Sequence, residues 1–211
     1  MYGNLATHAG AIVSIHLSAA VSGTYQAAIV GSRSIEKTRF EHVDSRNVSV
    51  ALGLVVRAAA EAAAAGRSAD EVARVAREAS ERARLFIAVP TLEHLVRGGR
   101  VSPAKGLLAK ILGLLPVLTI SKEGSAEPAA RARGFASARQ KMMALLFQAA
   151  EAGSNGGRRF GVAHCDAAEL AEELSRQIRQ RYPESDITTV ECGPALGAHG
   201  GPGAVAVAVL P

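Results

Sequence analysis

Short β-rich segments alternate with helical segments along the first part of the chain. GAIVSIHLS (10–18) and RFEHVDS (39–45) are typical of strands. A segment with helical character follows each of them, SGTYQAAIVGSRSI (22–35) and VSVALGLVVRAAAEAAAAG (48–66). This alternation predicts parallel strands joined by crossover helices.

Two capping signals mark helix ends in this region. Gly66 follows an alanine-rich helix and is a good residue for the end of a helix. Ser68 precedes the next helical segment, whose first turn contains Asp70 and Glu71 at its positive end. We therefore expect one helix to end at Gly66 and another to begin at Ser68.

The pattern changes after Arg84, where shorter elements follow one another closely. Residues 84–121 predict a strand, a short helix, a Gly-Gly-Arg turn, an apolar helix and a second strand. Beyond them the pattern predicts a long helix in 129–153, a strand at 158–166 and a helix at 167–183. The last segment, 186–211, predicts two strands around a glycine-rich loop. We expect an α/β fold of two lobes, with parallel or mixed sheets flanked by helices. The first lobe comprises residues 1–86 and the second comprises residues 87–211.

Composition excludes several classes of protein. Of the 211 residues, 48% are hydrophobic, yet no apolar run reaches the roughly 18 residues of a membrane span, so we expect no stable membrane insertion and a cytoplasmic location. The net charge of +5 is spread along the chain with few aromatic residues, which disfavours nucleic-acid binding. Cys165 and Cys192 lie outside any CxxC motif, so we expect reduced thiols and no metal site.

The hydroxyl-rich stretch SIHLSAAVSGTYQAA (14–28) runs from a strand into a helix. Ser22 and Thr24 could donate hydroxyl groups to a carboxylate over the helix N-terminus, where Gly23 allows close approach to the backbone. A Ser22 that simply caps the helix is an equally good interpretation.

Further polar turns occur in the second half of the chain. In GAHGGPG (197–203), Gly201 and Gly203 permit turns, and His199 can donate a hydrogen bond, although a single histidine in a turn is usually structural. A strand follows these glycines where a dinucleotide-binding motif requires a helix, so that function is excluded. The segments RGGRVS and RARG place arginines next to glycines; these are Arg97, Arg100, Arg131 and Arg133. Such cations could bind an anion or a partner, or they could simply be solvated.

Recognisable reaction machinery is missing from the sequence. It contains neither the G-x-S-x-G motif of serine hydrolases nor a Walker-type phosphate loop. His164, Cys165 and Asp166 are adjacent on a predicted strand, so their side chains alternate between faces, and packing at a strand end explains them better than catalysis. The sequence therefore favours binding over catalysis.

Four segments in this order resemble the DegV family of bacterial fatty-acid-binding proteins: SIHLSAAVSGTYQAA, VDSRNVSVALG, TLEHLVRGGRVS and GAHGGPGAVAV. The resemblance covers nearly the whole chain. It implies a two-lobed α/β fold that holds a long-chain fatty acid in an apolar tunnel and uses no cofactor. It also implies a carrier, not an enzyme, which presents the carboxyl group to a partner fatty acid kinase; the acyl phosphate formed feeds phospholipid synthesis.

The resemblance also assigns roles to individual residues. Ser22 matches the family serine that hydrogen-bonds the carboxyl group, and His199 matches the histidine of the glycine-rich loop that faces it. Gly23, Thr24, Gly201 and Gly203 belong to the supporting loops. Arg100 and Arg133 match basic positions near the carboxyl group or on the kinase-docking surface, and the resemblance does not decide between these two roles.

This sequence departs from the family pattern in three ways. Opening strands and a TSQP-like turn, whose threonine also holds the carboxyl group, precede the matched region in family members, so we expect an incomplete first sheet with an exposed edge that a second copy of the chain could cover. Leu115 stands where the family usually has a lysine, and Gly200 replaces a common threonine. The alternative to an acyl carrier is therefore a truncated interaction module or decayed family member without ligand; direct catalysis by Ser22 or His199 is a weaker third hypothesis.

Overall fold

The computed structural model describes residues 1–100, 114–153 and 157–211. The helices are α1 (Tyr2–Ala6), α2 (Thr24–Ser32), α3 (Ser49–Ala64), α4 (Ala69–Arg82), α5 (Glu93–Arg97), α6 (Gly134–Glu151), α7 (Ala168–Arg181) and α8 (Pro194–Gly200). The strands are β1 (Ala11–His16), β2 (Arg39–Asp44), β3 (Arg84–Ala88), β4 (Leu114–Ile120), β5 (Ala126–Arg133), β6 (Arg159–His164), β7 (Asp186–Glu191) and β8 (Val205–Leu210).

The strands form two sheets, as expected for a mixed α/β fold. In the described part of the chain, β1 and β2 make a parallel two-stranded sheet, and the other strands make a six-stranded sheet in the order β5-β4-β3-β8-β6-β7. Within the larger sheet only β6 and β7 are parallel, and the other neighbours are antiparallel. The prediction of parallel strands for the first segments, and of mixed pairing overall, is confirmed.

β8 lies at the centre of the larger sheet and contributes to the core on both faces. Ala206, Ala208 and Leu210 pack in the cluster that contains α3 and α4, whereas alternate positions such as Val207 face α6 and α7. Every residue of β8 is buried because both faces of the sheet are covered by helices.

Small residues allow α3 to approach this sheet closely. A Cβ atom at Gly161 of β6 would lie only 2.1 Å from Cγ2 of Val50 on α3, so the helix occupies the space that a side chain would need. On its other side α3 packs against α4 through alanines such as Ala59 and Ala76. α4 in turn contacts β1 and β2, and the two helices therefore join the two sheets through one continuous apolar cluster.

The capping predictions are confirmed. Ser68 and Glu71 form a reciprocal capping box at the start of α4, in which each side chain bonds to the backbone N–H of the other residue. Gly66 follows the end of α3 with a φ of 78°, a left-handed conformation that glycine adopts without steric cost.

Two local predictions are wrong, and one short helix was not predicted. Residues 129–133 belong to strand β5 and not to the long helix, which begins at Gly134, because pairing with β4 overrides their alanine-rich composition. The glycine-rich loop contains a short helix, α8, and α1 has no counterpart in the sequence prediction. The predicted apolar helix after the Gly-Gly-Arg turn falls on residues 101–113, outside the described residues.

One end of the larger sheet gathers the loops that bear on function. The register places Ala88 of β3 opposite Val205 of β8, and His164 of β6 opposite the same residue. The carboxyl ends of β3, β5, β6 and β7 therefore lie at this end, together with α5 and α8. None of the helices in the described ranges is both long and apolar enough to cross a membrane. The division of the chain near residue 86, which falls within β3, stays a prediction.

Candidate functional site

The turn between β1 and α2 presents two hydroxyl groups. Ser22 Oγ lies 2.8 Å from Thr24 Oγ1 and accepts a hydrogen bond of 3.3 Å from the backbone N–H of Thr24. Gly23 occupies the N-cap position of α2, and no side chain caps this helix. The Ser22 hydroxyl therefore lies beside the first turn of the helix and bonds to its first backbone N–H, so a capping role and a ligand-binding role for Ser22 both stay predictions.

Buried polar residues hold this turn in place. Ser18 is fully buried, its hydroxyl donates to the carbonyl of Gly124 at 2.8 Å, and its backbone N–H donates to the carbonyl of Asn47 at 2.9 Å. Asp44 Oδ1 accepts a hydrogen bond from the backbone N–H of Ala19. Because Gly124 lies in the β4–β5 turn, Ser18 links the Ser22 turn to the larger sheet. This role of Ser18 was not predicted from the sequence; its only signal was the run of polar residues at the end of β2, which includes Asp44 and Asn47.

His199 lies on α8, near the end of the helix, and its ring is half-buried. Its Nδ1 atom is buried and has no hydrogen-bond partner among the described residues. The ring packs on the backbone of Gly98, where an added Cβ atom would come within 2.1 Å of Nδ1. A buried nitrogen without a partner is costly, so a small shift that let a polar group from outside the chain bond to this atom would remove that cost.

A second histidine makes the reciprocal contact. A Cβ atom at Gly201 would lie 2.2 Å from Cδ2 of His94, and Gly201 has a φ of 74°. His199 of α8 thus packs on Gly98 at the end of α5, and His94 of α5 packs on Gly201 at the end of α8. These two contacts fix α5 against α8. Gly203, with a φ of 79°, lies against Pro90 in the same way. The glycines are needed here both for conformation and for space.

Arg100 connects the two polar turns. Its Nε donates to the carbonyl of Val21 at 3.3 Å, and its Nη1 donates to the carbonyl of Gly98 at 2.8 Å. Val21 precedes Ser22, and Gly98 contacts His199. The structure therefore brings Ser22, Arg100 and His199 into one region, although they are far apart in the sequence.

The other arginines lie further out. Arg97 is exposed at the end of α5, and Arg133 is exposed at the end of β5, opposite Leu114 in the register. In the described part of the chain, no hydrogen bond or ion pair joins Arg133 to Ser22, Arg100 or His199. The strand order nevertheless places Arg133 at the same end of the sheet as α5 and α8.

The two cysteines are free, as predicted, but they are not isolated. Cys165 is buried and Cys192 is half-buried, and they follow the neighbouring strands β6 and β7. Burial, together with the neighbouring sulfur of Cys192, raises the pKa of Cys165 to about 12. His164 is also buried, and its Nδ1 accepts a hydrogen bond from the backbone N–H of Ala167, which supports packing at the strand end.

The two departures from the family pattern have visible structural settings. Leu115 is half-buried, lies opposite Ala132 and packs against the cluster beneath α6. A Cβ atom at Gly200 would lie 3.1 Å from Cβ of Ala204 and 3.5 Å from Sγ of Cys165. A threonine at position 200 would thus be crowded in this chain.

The site offers hydrogen-bond donors and positive charge. Hydroxyl groups from Ser22 and Thr24, the guanidinium of Arg100 and the imidazole of His199 can all donate to an anion. No group of three or more histidine, cysteine or acidic side chains suited to a metal ion occurs within the described ranges. The arrangement is suited to binding a carboxylate.

A separate surface cleft of about 320 Å³ lies at the opposite end of the larger sheet. It is lined by Glu81, Arg82, Arg84, Ala149, Ala152, Gly153 and Pro211. None of the residues singled out in the sequence contributes to it.

Comparison with known proteins gives consistent matches. The sequence profile of the DegV family, a family described as uncharacterised, matches residues 1–211. A DegV domain-containing protein of Streptomyces coelicolor is 34% identical over 95% of this chain and 70% of its own length.

Solved structures match equally well. A DegV protein of Bacillus subtilis, described as a fatty acid binding protein, is 27% identical with a TM-score of 0.88, covering 99% of this chain and 73% of the other. A DegV family protein of Thermus thermophilus, reported for its fatty acid binding, is 28% identical with a TM-score of 0.88, covering 99% and 74%. In sequence and in fold, this chain belongs to the DegV family.

Proposed function

We propose that the protein binds one long-chain fatty acid and holds its carboxyl group between Ser22 and His199. The proposal is supported by the fatty acid binding of the Bacillus subtilis and Thermus thermophilus relatives. The observation in this chain that carries it is the buried Nδ1 of His199, which has no partner among the described residues and lies in the same region as the Ser22 hydroxyl.

In this proposal the carboxylate accepts hydrogen bonds from both turns. The Ser22 hydroxyl donates from one side and the His199 ring from the other, while Thr24 orients Ser22 through their 2.8 Å contact. Gly23 leaves the start of α2 open to the ligand, because a Cβ atom there would meet nothing within 4 Å. Gly201 and Gly203 allow the tight path of the chain that positions His199.

Arg100 then has two effects. Its hydrogen bonds to Val21 and Gly98 keep the turns at a fixed separation. Its positive charge favours the ionised carboxyl group, since charge-assisted hydrogen bonds are stronger than neutral ones.

The acyl chain requires an apolar path next to the carboxyl site. Ile87 of β3 packs in the same apolar cluster as the partly buried Val21. It also packs in two smaller clusters, one with Leu92 and Leu95 and one with Leu95. Val21 directly precedes Ser22, and Leu92 and Leu95 lie at or just before α5, whose end contacts His199. We propose that the acyl chain passes among them.

Binding can be tested by titration with oleate or palmitate, using matched variants. Ser22→Ala and His199→Asn should each weaken binding by about 10- to 100-fold, the cost of one lost hydrogen bond to a charged group of ~1.5–3 kcal/mol. Ser34→Ala and His8→Asn are controls, because Ser34 and His8 are exposed and outside the site. Equal losses in the control variants, or no binding by the unmodified protein, would favour the non-binding interaction module.

We further propose that the bound carboxyl group is presented to an ATP-dependent fatty acid kinase in the cytoplasm, and that the protein itself is a carrier and not an enzyme. The exposed cations Arg100 and Arg133 lie at the end of the sheet where the carboxyl group would emerge, and they suit an acidic docking surface. Acyl phosphate, trapped with hydroxylamine, should form only when carrier, fatty acid, kinase and ATP are combined. Formation without the kinase would overturn the carrier assignment.

A further inference from the structure

The register of β6 and β7 brings two cysteines side by side. The strands pair in parallel up to His164 opposite Glu191, and Cys165 and Cys192 follow directly. The backbone N–H of Cys192 donates to the carbonyl of His164 at 2.7 Å, which extends the parallel ladder by one position. Neighbouring strands are about 4.8 Å apart, within the range of about 4.4–6.8 Å between the Cα atoms of a disulfide.

The two side chains also point to the same face. Both cysteines pack in the small apolar cluster with Val89, Leu92 and Leu95, and Cys192 is close enough to contribute to the raised pKa of Cys165. A disulfide therefore needs only a small rearrangement of the two sulfur atoms.

These cysteines lie at the two roots of the segment that carries His199. Cys192 immediately precedes Gly193, the N-cap of α8. At the other root, Cys165 exchanges backbone hydrogen bonds with the returning chain: its carbonyl accepts from Gly203 at 2.8 Å, and its N–H donates to Ala204 at 2.9 Å. A bond between the sulfur atoms would fasten both roots of the segment 193–204.

We propose that Cys165 and Cys192 form a redox-sensitive dithiol, whose oxidation to a disulfide closes the base of the α8 segment. The chemistry requires a low-molecular-weight disulfide as oxidant, for example oxidised glutathione. The half-buried Cys192 reacts first: its thiolate attacks one sulfur of the oxidant, forms a mixed disulfide and releases one thiolate.

The second step completes the exchange. Cys165 loses its proton, its thiolate attacks the sulfur of Cys192, and the second small thiol leaves. Two protein thiols lose two electrons and two protons in total, which the oxidant takes up as two thiols. Since burial raises the pKa of Cys165 to about 12, this step is slow at neutral pH.

Oxidation bears directly on His199. A Cβ atom built at Gly200, the residue next to His199, would lie 3.5 Å from Cys165 Sγ, so this sulfur lies beside the end of α8 and we expect its shift to reach His199. The consequence for ligand binding rests on the proposed function, but the formation of the disulfide does not.

The test exposes the folded protein to oxidised glutathione and follows intact mass, peptide mapping and hydrogen exchange. We expect a species lighter by two hydrogen atoms, a Cys165–Cys192 cross-linked peptide, reversal by dithiothreitol, and amide exchange in 193–204 slowed by about tenfold or more. Cys192→Ser should remain at its reduced mass apart from slow modification of Cys165. A stable mixed disulfide on Cys192, no reaction of the folded protein, or unchanged exchange in 193–204 would overturn the proposal.

A fatty acid titration of the reduced and oxidised forms separates this proposal from the proposed function. We expect the affinities of the two forms to differ by about fivefold or more, a typical lower bound for coupled sites. A disulfide that slows exchange without any fatty acid binding in either form would overturn the proposed function alone. If both forms bind the fatty acid with the same affinity, the proposed effect of the disulfide on His199 is overturned.

Discussion

Replacing Gly98 by alanine tests whether the position of His199 controls ligand binding. Gly98 has a φ of −74°, which alanine adopts readily, so the backbone itself is not strained by the change. The new Cβ atom would lie 2.1 Å from Nδ1 of His199, whereas ordinary contacts begin at 3.4 Å. The imidazole must therefore retreat by about 1.3 Å, the difference between these distances.

A displacement of that size disrupts the geometry of a hydrogen bond to a carboxylate held at about 2.9 Å. The loss of one charge-assisted hydrogen bond costs ~1.5–3 kcal/mol, so we expect the dissociation constant for oleate to rise by about 10- to 100-fold. Isothermal titration calorimetry measures the affinity, and circular dichroism with thermal unfolding verifies that the variant is folded.

Gly197→Ala is the matched control. Gly197 lies on the same helix as His199, and a Cβ atom there would meet nothing within 4 Å. This control should bind oleate as tightly as the unmodified protein. In the double variant Gly98→Ala/His199→Ala the clash disappears, so stability lost in the single variant should return while binding does not. Unimpaired binding by Gly98→Ala would show that the position of His199 does not control ligand binding.

Three further predictions concern stability. Ser18→Ala leaves the buried carbonyl of Gly124 without its donor and should lower the free energy of unfolding by about 1–3 kcal/mol in urea titrations; a value below the experimental error would contradict the proposed link between the turn and the larger sheet. Ser68→Ala removes the capping box of α4 and should cost about 1 kcal/mol, whereas Ser68→Asp should restore most of it. Burial lowers the pKa of both His16 and His42 below the usual 6.5, with His42 contributing repulsion to His16. The unfolded chain then binds more protons, so stability should be fully present above about pH 6.5 and should fall as the pH drops towards the folded-state pKa; a flat profile between pH 7 and 5 would contradict this.

The sequence was sufficient to predict elements whose structure depends on residues close together along the chain. Ser68 and Glu71 are three residues apart and form their capping box within one turn, so the start of α4 was predictable. β5 was not, because AEPAARAR has no local preference for a strand and becomes one through its pairing with β4. α8 was missed because its glycines favour a loop reading, whereas Pro194 at its first position favours a helix.

The candidate site shows the same distinction. The sequence singled out Ser22, Arg100 and His199, but only the fold reveals that Arg100 joins the turns that carry the other two. The contact between His94 and Gly201, and that between the two cysteines, depend on which strands and helices become neighbours. No spacing rule within one chain segment encodes such contacts.

Native mass spectrometry of the purified protein, followed by lipid extraction of the same sample, shows whether the chain carries a fatty acid. We expect one bound long-chain fatty acid per chain, with occupancy reduced in Ser22→Ala and His199→Asn and unchanged in Ser34→Ala. A protein that carries no lipid as purified, and takes up none when oleate or palmitate is added, would contradict it.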